Sequence, residues 1–242
     1  MIELEAATVL AYGSHGPADR SSTRAVVTIL GPVTARLTEH RIAIIGANGS
    51  GKSTLARLVN GLALPSTGTV RVDGLDTARD GPAVRRRVGF VFTDPDAQLV
   101  MPTAIEDVGL SLRRLGVGAA ERRARALAVL ERFGLGDRAD QPVHTLSGGQ
   151  KQLLALAGVL ATEPAILVCD EPTTLLDLRW RRTVDTLLAS LPQQVVQVTH
   201  DLEAARRADR VLVVDSGAVV HDGDAHLGVA HYVELMAERP AR

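Results

Sequence analysis

A chain of 242 residues with 45% hydrophobic side chains can bury one large core or two small ones. Its formal net charge of −1 supplies no global basic field of the kind that draws a protein to nucleic acid, and 2% aromatic residues leave few rings to stack on bases. A single cysteine, Cys169, excludes a disulfide within the chain. No run of about 18 apolar residues is present for a membrane span. Met1-Ile2-Glu3-Leu4-Glu5 is acidic where a secretory signal is basic. The expectation is a soluble chain in a reducing, cytosolic compartment.

Residues 2–12 and 24–45 are rich in valine, isoleucine and threonine and read as β segments. The polar stretch from Gly13 to Ser22 between them reads as a loop. Tyr12, just before it, fits two roles equally: a platform for an adenine ring, or an ordinary edge-strand residue. The apolar run Ile42-Ala43-Ile44-Ile45 then leads into Gly46-Ala47-Asn48-Gly49-Ser50-Gly51-Lys52-Ser53-Thr54, and Leu55–Asn60 continues with helical periodicity. Strand, glycine loop and helix follow in that order, and Gly46, Gly51, Lys52 and Ser53 have the spacing G-x-x-x-x-G-K-[ST]. Glycines allow backbone angles closed to other residues, so successive N–H groups can turn inward as an anion nest at a helix N-terminus. Lys52 is placed to reach β- and γ-phosphates and Ser53 to hold Mg²⁺. The bland alternative is a glycine-rich turn that binds nothing; the readable strand and helix on either side weigh against it.

Gly68–Val72 reads as a strand ending in the turn Asp73-Gly74, and Ala83–Arg87 as a short helix before the strand Val88–Phe92. From Ala104 to Phe133 the pattern is helical and arginine-rich, broken at Gly116-Val117-Gly118, and its charged run is most simply a solvated face. Leu146-Ser147-Gly148-Gly149-Gln150 opens the helix that runs through Lys151–Leu160, with Ser147 as N-cap. Two glycines at a helix start again offer N–H groups to an anion. Ile166-Leu167-Val168-Cys169 is continuously apolar, as a central parallel strand is, and ends on Asp170-Glu171. Paired carboxylates at the end of a buried strand are costly unless they serve a metal or a reaction. A helix from Leu178 to Ser190, the strand Val195–Thr199 ending on His200-Asp201, a helix Leu202–Ala208, a strand Val211–Val214, a hairpin-like stretch and a terminal helix over 226–239 complete the chain.

These positions share one chemistry. Gly46–Thr54 grips phosphate, Asp170 holds Mg²⁺, Glu171 polarises the attacking water, and His200 contacts the γ-phosphate or orients Glu171. Each has a plainer reading, such as a helix cap or a turn, and it is their order and spacing together that outweigh it.

On Gly46–Thr54, Leu146–Gln150, Ile166–Glu171, Asp177 and His200, the chain resembles the ATPase subunits of ATP-binding-cassette (ABC) transporters. The resemblance casts these segments as Walker A, the family signature, Walker B, the D-loop aspartate and the switch histidine. It implies an α/β P-loop NTPase: a mixed or parallel core sheet, an N-terminal antiparallel β subdomain and a helical signature subdomain. Residues 1–242 would form one such domain, with 1–92 and 161–242 as the β subdomain and core, and 93–160 as the helical part. Also implied is a head-to-tail dimer, of identical or paralogous copies, in which ATP lies between the phosphate loop of one copy and Ser147-Gly148-Gly149, with Gln150, of the other. A signature helix distant from its own phosphate loop can meet a γ-phosphate only in trans.

The departures from the family pattern are specific. Thr93 stands where a glutamine senses the γ-phosphate, Gln98 comes five residues later, and Leu153 replaces an arginine. Thr93-Asp94-Pro95-Asp96-Ala97-Gln98, followed by Pro102-Thr103 and Glu106-Asp107-Val108, is similar to energy-coupling-factor (ECF) ATPases, in which this segment lies at the membrane-facing groove. The implied partners are a transmembrane scaffold subunit and a small substrate-binding membrane subunit, with this chain peripheral on the cytoplasmic face. The form of these motifs is most similar to the ATPase of biotin-uptake modules; cobalt or nickel modules, an ordinary ABC transporter, and a soluble cassette protein are the alternatives. His221, Asp222, Asp224, His226 and His231 lack a known ligand spacing and read as a turn beside a solvated helix rather than a metal site.

Overall fold

The structure, a computed structural model, describes residues 1–12 and 26–238; of Tyr12 it describes the backbone alone. The expected loop from Gly13 to Ser22 and the adenine-stacking ring of Tyr12 lie outside the described residues. Along the chain run β1 (Ile2–Tyr12), β2 (Val26–Leu37), β3 (Arg41–Ile45), α1 (Lys52–Asn60), β4 (Thr67–Val72), β5 (Leu75–Asp76), α2 (Gly81–Arg87) and β6 (Val88–Val91). There follow α3 (Ala104–Leu112), α4 (Ala119–Arg132), α5 (Gly148–Leu160), β7 (Ile166–Asp170), α6 (Leu178–Ser190), β8 (Gln194–Val198), α7 (Leu202–Arg206), β9 (Arg210–Asp215), β10 (Ala218–Gly223) and α8 (Ala225–Ala237). This is an α/β chain with an antiparallel N-terminal sheet, mixed strands and a helical block.

The chain divides into two compact units, Met1–Arg85 with His200–Arg242, and Arg86–Thr199. In the first unit, β1 pairs antiparallel with both β2 and β4, and β4 with β5. Ala6 bulges out of β1 at φ +46°, and Gly68 faces it so closely that a Cβ would lie 2.3 Å from the Ala6 carbonyl oxygen. The turn expected at Asp73-Gly74 is present, and Ser216-Gly217 between β9 and β10 matches it: each takes positive φ at two successive residues, the type I′ geometry that matches strand twist. β3 runs parallel to β9, which pairs antiparallel with β10. Ala43, Ile45, Val211 and Val213 pack there with Ala205, Ala225 and Val229 from α7 and α8.

In the second unit β6, β7 and β8 are parallel neighbours with β7 in the middle. Every residue of β7 is buried, as its unbroken apolar pattern predicts. Its core is apolar and contiguous, from Val91 and Leu167 through Leu153, Leu154 and Leu156 of α5 to Val108, Leu130 and Val184. α3 begins with a capping box, Thr103 and Glu106 bonding each other's backbone reciprocally. Asp107 accepts N–H bonds from both Val100 and Met101 at 2.9 Å and so shapes the turn before α3.

Candidate functional site

The phosphate loop belongs to the first unit. β3 is buried and delivers the chain to Gly46 at φ +152°, where a Cβ would fall 2.0 Å from the carbonyl oxygen of Val214. No other residue fits there without moving β9. Gly49 (φ +74°) and Gly51 (φ +106°) also need the left-handed region, but the Gly49 Cβ direction is open, with nothing within 4 Å. Lys52 is 4% exposed, and its Nζ donates to the Ala47 carbonyl at 2.8 Å, closing the loop on itself. Ser50 N–H reaches the Ala47 oxygen at 3.2 Å, and the Ser50 carbonyl accepts from Gly217 N–H at 2.9 Å. Among the described residues, no acceptor takes the backbone N–H of Asn48, Gly49 or Gly51, and the buried Ser50 hydroxyl has no partner. Ser53 and Thr54 follow in the first turn of α1, half-buried. The loop therefore combines a run of unaccepted backbone donors with a buried ammonium, which fits a polyphosphate. His200, the residue after Thr199, is exposed, and the next residue, Asp201, caps α7 by accepting from Glu203 and Ala204 N–H at 2.9 and 3.1 Å.

The second unit carries the carboxylates and the signature. Asp170 is 2% exposed at the end of β7. Glu171 follows at φ +53°, a left-handed conformation that costs a non-glycine residue about 1–2 kcal/mol. It is held there by its N–H donating to Val198 at 3.0 Å and by the Thr174 hydroxyl donating to its carboxylate at 3.0 Å. Strain of this kind gathers at active sites, where the surrounding structure fixes a side chain's direction. Burial, with Asp170 adjacent, pushes the Cys169 thiol far above its usual range, so it stays a neutral core group.

Thr93 now has a structural role. Its hydroxyl donates to the Asp170 carbonyl at 2.7 Å, tying the following segment to the strand that bears the carboxylates. Gln98 is also engaged at both ends: its oxygen accepts from Phe92 N–H at 3.2 Å and its nitrogen donates to the Ala155 carbonyl at 3.4 Å. It braces the loop against α5.

At the signature, Ser147 caps α5 as expected, in a full capping box: its side chain accepts from Gln150 N–H, and the Gln150 side chain accepts from Ser147 N–H at 2.9 Å. Ser147 and Gly148 are exposed, whereas Gly149 is buried against Trp180, where a Cβ would lie 2.2 Å from the indole. Asp177 caps α6 by accepting from Trp180 N–H at 3.0 Å. The chain Asp177–Trp180–Gly149 thus joins the D-loop position to the signature. Reading the sequence alone missed Trp180 and Lys151; the scarcity of tryptophan and lysine is the signal that points to both.

Of the histidines near the C-terminus, His221 and His231 have ring centroids 6.1 Å apart. Asp222 binds Arg210 through both oxygens at 2.5 and 2.8 Å, His221 Nε2 lies 3.2 Å from the Asp224 carbonyl, and among the described residues no group of three or more His, Cys, Asp or Glu side chains is placed to hold a metal ion.

Comparison with known proteins decides the family. The model of the ABC transporter family matches residues 36–174, from the end of β2 past the carboxylates. The chain belongs to the ABC transporter ATP-binding family. As a member of it, the chain is an ATP-binding ATPase. It is 46% identical over 208 residues to the biotin transport ATP-binding protein BioM of Rhizobium etli, covering 86% of this chain and 92% of that protein. It is 44% identical over 190 residues to the energy-coupling factor transporter ATP-binding protein EcfA1 of Lactiplantibacillus plantarum, covering 75% of this chain and 66% of that protein. Relatives of similar identity carry no substrate in their names. Among solved structures, the dimeric ATP-binding cassette MJ0796 in a post-hydrolysis state with ADP and Pi superposes at TM-score 0.79 and 31% identity, covering 93% of this chain and 99% of that one. The fold of this chain is thus that of an ABC cassette. Its ECF resemblance is matched by the name of the EcfA1 relative.

Proposed function

We propose that this chain hydrolyses ATP as the energy-coupling subunit of an ECF-type importer, and that the imported substrate is a vitamin, biotin. The observation that carries the ATPase part is the signature start: an exposed Ser147-Gly148 at the N-terminus of a 13-residue helix, its side chains locked in a capping box while the N–H groups of Gly148 and Gly149 have no intrahelical partner. Such an end supports binding of the γ-phosphate of a nucleotide carried by a second copy or a paralogous cassette. The dimeric state of the MJ0796 cassette supports that pairing.

The roles then follow from the chemistry of each group. Gly46, Asn48, Gly49, Ser50 and Gly51 present backbone donors to the phosphates, and Lys52 neutralises the β- and γ-phosphates. Ser53 and Asp170 offer hard oxygen ligands of the type Mg²⁺ takes, and Thr54 is a further contact for the nucleotide. Bound there, Mg²⁺ would neutralise charge developing on the transferred phosphoryl group. Glu171 accepts the proton of the attacking water, its direction fixed by Thr174 and the strained backbone. His200 orients the γ-phosphate, and Asp177 places the D-loop. Tyr12 is kept as the candidate adenine platform.

Among the described residues no helix is long and apolar enough to cross a membrane, so work on a transported solute needs membrane subunits: a transmembrane scaffold and a small substrate-binding protein. A groove of about 190 Å³ lined by Met101, Ile105, Leu110, Arg113 and Arg122 lies beside the ECF-like segment and supports docking there, on the cytoplasmic face. The test is to isolate the chain with its membrane subunits and measure uptake of labelled biotin, cobalt and nickel into vesicles loaded with ATP and Mg²⁺ on the cytoplasmic side. ATP-dependent biotin uptake is expected; metal uptake without biotin uptake overturns the substrate, and no association with any membrane subunit overturns the transport reading.

A further inference from the structure

Among 27 basic side chains only Lys52 and Lys151 are lysine. Lys52 belongs to the phosphate loop. Lys151 directly follows the signature, in the first turn of α5. Its side chain is only 16% exposed and its Nζ lies 2.7 Å from Asp96 Oδ1. Asp96 sits in the short 3₁₀ turn Pro95–Ala97, where the Asp94 side chain accepts its N–H. One ion pair therefore joins the ECF-like segment to the start of the signature helix. The same segment is anchored at its ends by Thr93 on the Asp170 carbonyl and by Gln98 on Phe92 and Ala155.

Between these anchors Pro95 is buried and the segment borders a cavity. The cavity, of about 120 Å³, is lined by Thr93, Pro95, Gly148, Lys151, Gln152 and Leu176 among others. Gln152 is 1% exposed, and its amide nitrogen has no hydrogen-bond partner. A buried unpaired amide is costly, and so is unfilled space beside it. A segment anchored at its two ends and tied between them to α5 by one ion pair passes any displacement on to Lys151.

We propose that Asp96 and Lys151 form a clamp through which the 93–98 segment sets the position of the signature helix. The two are positioning residues: they act through Ser147-Gly148-Gly149. The inference rests on the reading that this segment meets the membrane subunits, and makes the clamp the route by which docking reaches the nucleotide site.

The test uses Asp96→Lys and Lys151→Asp, singly and together, in the isolated chain and in its complex with the membrane subunits. Trp180, the sole tryptophan, packs on Gly149, so its emission reports the start of α5. In the isolated chain each single reversal shifts that emission, the double reversal restores it, and Asp96→Glu keeps it; Asp96→Asn carries the same arm should a reversal not fold. In the complex each single reversal lowers uptake about fivefold, from replacing a modest attraction by repulsion, and the double recovers it. Native emission in both single variants, native uptake in both, or a double no better than the worse single overturns the clamp. Absence of uptake in the wild-type complex sinks the transport reading instead and leaves the emission arm to decide the clamp.

Discussion

The phosphate loop and the 93–98 segment are both short, irregular and next to a helix, yet they are held in opposite ways. The phosphate loop is fixed by sterics: Gly46 has no space for a side chain, and a buried lysine closes the loop from within. The 93–98 segment is fixed by a few polar contacts to residues far along the chain, over a cavity. A surface that grips the same anion every cycle gains from rigidity, because no energy goes into reorganising it. A segment that passes on movement gains from contacts that each cost little to break. The molecule separates gripping from transmitting by the kind of force that holds each.

Breaking the rigid side should have the largest effects. Lys52→Ala and Glu171→Gln should each lower ATP turnover by at least about a hundredfold, the first by removing a positive charge from the phosphates and the second by removing the base that takes the water's proton; steady-state hydrolysis by the purified complex checks this. Gly46→Ala should destabilise the fold by about 3 kcal/mol, because its methyl would press on the backbone of β9. Gly49→Ala meets no neighbour and should cost only about 1–2 kcal/mol from its backbone conformation. Chemical denaturation of the pair measures the difference, and equal costs would mean that close approach is not what selects glycine at Gly46.

On the transmitting side the effects should be smaller. Gly149→Ala should displace Trp180, shift its emission and lower turnover about tenfold, while the fold survives. Thr93→Val should cost about 1 kcal/mol by removing the hydroxyl that donates to the Asp170 carbonyl, and should reduce coupled uptake more than basal hydrolysis. The smallest effect is at Cys169, fully buried in β7 with its thiol held neutral. A thiol reagent should leave the native protein unlabelled at neutral pH and label it completely in denaturant.

This contrast also explains what the sequence disclosed. The phosphate loop, the capped signature helix, the buried strand before Asp170 and both positive-φ turns are local: spacing, apolar runs and turn residues a few positions apart determine them. Thr93 looked like an unexplained substitution, because its partner carbonyl is 77 positions away. The same holds for the Asp96–Lys151 pair, 55 positions apart, and for Trp180 on Gly149. Contacts of that range are set by strand order and helix packing, which one sequence does not display. Gln98, too, is one glutamine among several until the fold brings Phe92 and Ala155 to its two ends.

The account turns on a nucleotide site completed by two copies, and mixing copies tests it most directly. Lys52→Ala copies and Ser147→Arg copies, each inactive alone, are combined in equal amounts and assembled with the membrane subunits. A mixed dimer places both lesions in one site and leaves the other intact, so ATP turnover should return to about a quarter of the wild-type rate. A mixture as inactive as its two parents would contradict a shared site.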